Sequence, residues 1–440
     1  MTKIMTKKNE NKKNIKINVP VLARVEGEGA LEIDIIDEQI IYLKLKIFEP
    51  PRLFEKLLEG KSYTEVPDIV ARICGICPVA YQMSAVHAFE RLFEVDPGPW
   101  VKSMRRLFYC AEWIESHSLH IHLLAAPDFL GYESAPAMAK DYPFELRRGI
   151  TLQNLGNEML RFLGGRSVHP VGVKVGGFYR APEKQQAESL LSKLVEALPQ
   201  AEALVQWVAS FKLPEFENVE TMVALNSVTE YPMSEGCISS SDGLKIDSSL
   251  FTQHFVEHHQ PHSTALHCLH KEKPYLVGPL SRVNLNFDQL PDVVKDSARK
   301  ASLHFPSKNM FHSIHARALE VLFAINESIT ILSKYYIPES SFVDVTPKAG
   351  IASACTEAPR GILFHEYEVD EQGKIMKATI VPPTSQNQAR MEQDLRRSLN
   401  SFGLDRSEQE LRLHAEKIIR NYDPCISCAT HFLNLKVNRH

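Results

Sequence analysis

The sequence predicts an α+β, helix-dominated fold: a core bundle of long helices with antiparallel β-strands at its periphery. Two observations carry this expectation. Several long stretches repeat apolar side chains three and four residues apart, the spacing of one helix face, while two Ile/Val-rich stretches alternate apolar and polar residues, as a half-buried strand does. With 440 residues, 44% of them hydrophobic, the chain can bury a sizeable core. It shows no internal repeat or long linker, so one domain with β appendages is the economical reading.

The elements follow in order. The first 17 residues carry six Lys against one Glu and read as a disordered basic tail, 1–17. Subtracting that +5 from the net charge of −4 leaves −9 for the remainder. The stretch KINVPVLARVEGEGALEIDIIDEQIIYLKLKI then suits two or three antiparallel strands punctuated by Gly27 and Gly29. From Leu53 the period turns helical, in SAVHAFERLFE, in VKSMRRLFYCAEWIESHSLHIHLLAA and in PFELRRGITLQNLGNEMLRFLGG, the last stopped by Gly-Gly. A further apolar stripe, Leu190, Leu191, Leu194, Val195 and Leu198, runs into Pro199, which is expected to kink or divide that helix. Between about Pro214 and Asp288 short strands and loops are expected. RALEVLFAINESITILSKYY resumes a long helix. RGILFHEYEVDEQGKIMKATIVPP is β-rich with a turn at Asp370–Gly373, and SEQELRLHAEKIIRNY is a final helix leading to Asp423.

Composition removes several classes of function. No apolar run approaches the roughly 18 residues of a membrane span, and the charged N-terminus is not followed by the apolar block of a signal peptide. The chain therefore reads as cytoplasmic, with no membrane span and no nucleic-acid partner expected. The glycines form neither a dinucleotide fingerprint nor a phosphate loop, so the chain is not expected to bind nicotinamide, flavin or nucleotide itself. Eight irregularly placed cysteines in a chain of this kind argue against a disulfide framework and leave metal ligation or redox chemistry for those that are paired.

Two pairs stand out: RICGIC holds Cys74 and Cys77, and DPCISCATH holds Cys425 and Cys428. A two-residue gap lets a tight turn aim two sulfurs at one point, and thiolates suit zinc, iron or nickel. A structural zinc site is one reading, although zinc ribbons bring their pairs within about twenty residues of each other. A thioredoxin-like redox pair is another, but neither pair sits at a strand-to-helix turn of a βαβ unit.

RICGIC, DPCISCATH and the leading RVEGEG, in that order, resemble the large subunit of the nickel-iron hydrogenases from Pro20 to His431. The resemblance implies that family's large-subunit fold as a single domain, 18–431, with a C-terminal extension, 432–440, removed by a maturation protease. It implies a nickel and an iron, the iron carrying CO and two cyanides. Cys74 and Cys425 correspond to the terminal nickel ligands, and Cys77 and Cys428 to the sulfurs shared with iron. Heterolytic cleavage of dihydrogen needs a hydride acceptor and a nearby base. Glu26 corresponds to the proton-gate glutamate, Arg360 to the arginine over the iron, Thr384 to the hydroxyl that bonds a cyanide, and Asp423 to the carboxylate beside the site. Glu55 and His431 correspond to ligands of a magnesium or second iron near the C-terminus.

Read without the resemblance, each of these has a plainer role. Glu26 is a turn residue in a solvated hairpin, Arg360 a surface cation, Thr384 a turn hydroxyl, Asp423 the start of an Asp-Pro turn and Glu55 an exposed helix charge. Two positions depart from the family: Tyr81 stands where many relatives place a His beside a bridging sulfur, and Ser116 stands where several have an Asp. QHFVEHHQPHSTALHCLH carries six histidines but matches no ligand spacing, and solvated or core histidines are the reading adopted. Cys110, Cys237, Cys268 and Cys355 read as small buried hydrophobes.

Four cysteines leave no set for iron-sulfur clusters. The resemblance therefore implies a small subunit that holds them and, in the bidirectional class it fits best, diaphorase subunits that pass electrons to NAD(P), with sulfur an acceptor in some members. The alternatives are a hydrogen-sensing regulatory subunit, a non-catalytic relative from respiratory complex I, which lacks the paired cysteines, and a zinc-stabilised structural protein.

Overall fold

The structure, a computed structural model, describes residues 14–217 and 221–430. The expected basic tail up to residue 13, His431 and the extension 432–440 lie outside the described residues.

Strands β1 (Asn14–Val19), β2 (Gly29–Ile36) and β3 (Gln39–Ile47) form an antiparallel sheet in that order. The expected tail is thus too long. Asn14 to Ile17 pair with Ile36 to Ile33, because Ile15 and Ile17 alternate with exposed Asn14 and Lys16 and bury one apolar face.

Helices α1 (Pro78–Phe93), α2 (Gly98–Leu119), α3 (Pro143–Gly164), α4 (Lys184–Ala209), α5 (Pro279–Asn286) and α6 (Ser313–Leu332) build the bundle. α2 packs on α3, and α6 packs on both α2 and α4. α6 is apolar nearly all round and central, burying Ile314, Leu319, Leu322 and Phe323 among others. α2 continues into one π-helical turn, His120–Ala125. α4 runs through Pro199 as one helix, so the proline does not divide it. Pro199 lies on the exposed side, where water satisfies the carbonyl it deprives, while Leu194, Ala201, Leu204 and Val208 hold the opposite stripe in the core.

Smaller sheets surround the bundle. Val223–Asn226, Cys237–Ser240 and Lys245–Ile246 form one, and β4 (Phe255–His258) with β5 (His267–His270) another. β6 (Gly350–Ala358), β7 (Gly361–Val369) and β8 (Ile375–Val381) form a third, packed against α1. The turn expected at Asp370–Gly373 joins β7 to β8, with the Asp370 carboxylate accepting from the N–H groups of Gln372 and Lys374.

Helices α7 (Pro383–Phe402) and α8 (Glu408–Tyr422) close the order. The sequence reading missed α7, and composition explains why: its first turns bury polar Thr384, Gln386, Asn387 and Gln388 where an apolar stripe was sought. Thr384 is therefore a helix-start residue and not a turn hydroxyl.

Candidate metal centre

Each cysteine pair is shaped by its local backbone. Cys77 is the N-cap residue of α1, and Pro78 opens the helix with the φ it already prefers. The Cys74 sulfur accepts from the N–H groups of Ile76 at 3.3 Å and Cys77 at 3.2 Å, which folds the turn around it. The next free amides, of Val79 and Ala80, donate to the buried carboxyl of Glu112 on α2 at 2.6 and 3.3 Å, so α1 starts at a fixed place. The second pair follows α8, which ends at Asp423 in a left-handed conformation that Asp tolerates better than most residues. The Cys425 N–H donates to the Thr384 hydroxyl at 3.0 Å, and the Ile426 N–H to the Glu26 carbonyl at 3.0 Å.

These turns bring four sulfurs together. Cys74 lies 3.4 Å from Cys425, Cys77 3.7 Å from Cys428, and Cys425 2.9 Å from Cys428. All four atoms lie within 4.8 Å of one another, all four residues are buried, and none is in a disulfide. Arg52 staples the two segments, its guanidinium donating to the carbonyl of Ile73 at 2.7 Å and to that of Ser427. Burial would raise the Cys74 thiol, but the thiols of Cys425, Cys428 and Cys77 and the charge of Arg360 hold it well below the ordinary range. Cys425 is pushed up by its hydrogen bonds with the other thiols and by burial; Cys77, against the lowering effect of Cys425, is pushed up by Cys428, Cys74 and burial; and Cys428 is pushed up chiefly by burial. Four soft donors at this separation fit one or two thiophilic metal ions.

Above the sulfurs stands Arg360. It lies in the two-residue turn between β6 and β7, and donates to the Asp423 carbonyl at 2.6 Å and to the Asp423 carboxylate at 3.0 Å. One of its terminal nitrogens and the second Asp423 oxygen are buried without partners, two polar atoms aimed at no protein group. A network of wholly buried charges fixes this turn. Arg282 on α5 donates to the carbonyls of Ala358 (2.8 Å) and Pro359 (2.9 Å), and pairs with Glu320 at 2.7 and 2.8 Å and with Glu357 at 3.0 Å. Glu320 also accepts from the Tyr231 hydroxyl at 2.7 Å and lies 2.9 Å from His117. Arg317 on α6 holds the carbonyls of Asn421 and Tyr422 at 3.2 and 3.3 Å, just before Asp423.

The opposite flank is looser. Glu26 is half-buried, and its carboxylate accepts from the Ser427 N–H at 3.1 Å. Burial and the nearby Cys74 charge raise its pKa against the lowering effect of Ser427 and Cys425. Ser427 donates its hydroxyl to Glu49 at 2.9 Å, and Glu49 also accepts from the Glu28 N–H at 3.2 Å. Gly27, at φ +86°, makes this closeness possible: a β-carbon there would meet a Glu49 oxygen and the Ile426 side chain, each at 2.7 Å.

The structure thus gathers Cys74, Cys77, Cys425, Cys428, Glu26, Arg360, Thr384 and Asp423. Arg360, Thr384 and Asp423 are buried, unlike their plainer readings. Glu55 sits elsewhere, accepting from the Ile380 N–H at 2.7 Å, and its expected partner His431 lies outside the described residues. Tyr81 is buried against the sulfurs, its phenol held well above the usual range by burial and then by Cys428 and Cys77. Ser116 is buried. Cys110, Cys268 and Cys355 are buried as expected, while Cys237 is half-exposed on a short strand. Arg52, Glu112, Arg282, Arg317, Glu320 and Glu357 were missed, as was Glu115, a buried carboxyl raised to about 7 chiefly by burial. Their signal in the sequence was weak: charged residues inside helical apolar stripes, such as Glu112 and Glu115 among the core positions of α2.

Comparison with known families matches the family described as nickel-dependent hydrogenase over residues 52–147 and 249–431. The chain is 35% identical to the sulfhydrogenase 1 subunit alpha of Pyrococcus furiosus, covering 95% of this chain and 98% of that one. It is 25% identical to the NAD-reducing hydrogenase HoxS subunit beta of Cupriavidus necator over 95% of each. Among solved structures it is similar to an NAD+-reducing [NiFe]-hydrogenase in the H2-reduced state, with TM-score 0.87 and 27% identity over 94% of this chain and 99% of that one.

Proposed function

The chain belongs to the nickel-dependent hydrogenase family as a large, catalytic subunit, and on that premise we propose which of its residues serve the interconversion of dihydrogen with protons and electrons. Cys74 and Cys425 would be the terminal ligands of nickel, and Cys77 and Cys428 the sulfurs shared with an iron that carries CO and two cyanides. When bound, this pair of metals supplies the redox centre at which dihydrogen is split.

The chain's own residues do the rest. Glu26 receives the proton at its carboxylate, for which its raised pKa suits it, and returns it toward solvent past the Ser427 hydroxyl and Glu49. Arg360, anchored on Asp423 and with one terminal nitrogen unpartnered, would supply a fixed positive charge beside the metals. Thr384 has already accepted the Cys425 N–H, so its own hydrogen remains for a cyanide. Glu55 and His431 would hold a magnesium or second iron, and a maturation protease would remove 432–440.

Electrons leave through an iron-sulfur small subunit and reach NAD(P), or sulfur, by way of diaphorase subunits in the cytoplasm. The sulfhydrogenase and NAD-reducing relatives support this choice. Among the described residues no helix is long and apolar enough to cross a membrane.

The observation that carries the reading is the meeting of four buried sulfurs from segments 351 residues apart. Infrared spectroscopy of the purified complex tests it, since bands of metal-bound CO and cyanide are expected and their absence alongside zinc would overturn it. Hydrogen-dependent reduction of NAD+, NADP+ and polysulfide, measured side by side, identifies the acceptor. Steady turnover with an artificial dye separates an enzyme from a hydrogen sensor.

A further inference from the structure

A second cluster of metal-ligating side chains lies in the histidine-rich segment, away from the cysteines. His262, in the loop between β4 and β5, His267, the first residue of β5, and Glu392, on α7, place one nitrogen or oxygen each within 4.8 Å of one another. The Glu392 carboxylate lies 2.8 Å from His262 Nε2 and also accepts from the Leu45 N–H of β3 at 3.0 Å. The imidazole rings of His262 and His267 meet edge to face, their centroids 5.6 Å apart. His267 is 4% exposed, yet its Nε2 has no hydrogen-bond partner. His262 and Glu392 keep side-chain exposures of 10% and 17%, so the cluster opens to solvent on one side.

We propose that His262, His267 and Glu392 bind a divalent transition-metal ion, zinc being the best fit, that is separate from the metals of the cysteine cluster and from one at Glu55. Two imidazoles and a carboxylate are a common three-residue ligand set for zinc, with water in the fourth position. Ligand bonds of about 2.1 Å place tetrahedral donors roughly 3.4 Å apart. The three donors therefore reach a common ion by small side-chain rotations. Binding also answers the lone buried nitrogen of His267, which an ordinary ion pair between His262 and Glu392 leaves unmet. Lys44 on β3 contributes nearby positive charge, so the ion depends on the Glu392 carboxylate to offset it. Once bound, the ion ties β3, the β4–β5 loop and α7 together, and α7 carries at its start the Thr384 that holds Cys425.

The test uses the intact complex, stripped with a mild chelator and titrated with Zn2+ alone and with Co2+ alone. One tight site per large subunit is expected, with visible Co2+ bands of nitrogen and oxygen ligation and a zinc-dependent rise in thermal midpoint. His267→Asn and Glu392→Gln should each weaken Zn2+ binding at least tenfold and abolish the midpoint shift, while hydrogen-dependent dye reduction persists. Should the buried His267 variant fail to fold, His262→Gln, at a partly exposed position, reads out the same loss. Wild-type protein that takes up no zinc, or variants that bind it with unchanged affinity, would overturn the proposal. Because the readouts are zinc affinity and the Co2+ spectrum, they fail independently of the hydrogenase reading.

Discussion

On one flank of the sulfur cluster, Arg282 is wholly buried and spends its donors on Glu320, Glu357 and the carbonyls of Ala358 and Pro359. On the other, Glu26 sits in a half-exposed loop, tied to Ser427 and within two hydrogen bonds of Glu49. The first flank is over-determined: four protein groups agree on where the turn carrying Arg360 must lie, and no water is needed to satisfy them. The second is partly exposed and held by fewer contacts. The fixed charge proposed for Arg360 and the proton route proposed for Glu26 call for opposite surroundings, and the two sides of this site offer one each.

The contrast is tested hardest at Glu26. Glu26→Gln keeps the Ser427 contact but cannot carry a proton, so hydrogen–deuterium exchange should fall by about 10²–10⁴-fold with metal content unchanged. Exchange at the wild-type rate would remove Glu26 from the route. On the rigid flank, Arg282→Met leaves two carboxylates buried and unpaired and should cost about 3–5 kcal/mol in denaturant unfolding. It should also impair metal incorporation; a loss below 1 kcal/mol would mean the network is not what holds the Arg360 turn.

A pH effect of smaller size is expected from Glu357, which burial, opposed by Arg282, lifts to about 7. Its folded pKa exceeds its unfolded value near 4.5, so between those values the folded chain keeps a proton that the unfolded chain has lost. Stability from this group is therefore full below about pH 4.5, falls as pH rises toward 7, and then levels, by at most about 3 kcal/mol. Unfolding midpoints of wild type and Glu357→Gln, compared across that window, should show a steeper slope in the first, the slope left in the second coming from Glu115, which burial also raises to about 7.

Gly27→Ala sharpens the other side. The added methyl group meets Glu49 and Ile426 at a positive φ, and a cost of about 1–2 kcal/mol is expected, together with slower proton exchange as the Glu26 loop is pushed outward. The smallest effect is expected from Tyr81→Phe, which removes a phenol beside Cys428 at about 1 kcal/mol or less. It should nonetheless shift the infrared bands of the metal ligands; unchanged bands would show that the hydroxyl does not sense the cluster.

Much of this site was legible in the sequence because cysteine pairs and their flanking residues are local signals. Cys74, Cys77, Cys425 and Cys428 announce themselves by spacing, and Glu26, Arg360 and Asp423 by short motifs around them. The groups that fix the cradle in place leave no such mark. Arg282, Glu320 and Glu357 come from α5, α6 and β6 and meet only in the folded chain. Arg52 looks like any loop cation until its two carbonyl partners are seen. The fold shows the same division: helices with apolar stripes were anticipated, whereas α7, whose first turns bury amides and hydroxyls, was not. The histidine-rich segment shows the same limit, since its spacing suggested no ligand set and only the fold brings His262 and His267 beside Glu392.

The Arg52 staple has a consequence for how the molecule is assembled. Closing a loop of some 350 residues costs roughly 5 kcal/mol of chain entropy. The contacts that recover it lie between Arg52, Glu26, Thr384 and the last cysteine segment. Because Cys425 and Cys428 are the last of the four sulfurs to be synthesised, metal ions are expected to reach the site most easily before the segment 425–428 packs against Glu26, Arg52 and Thr384.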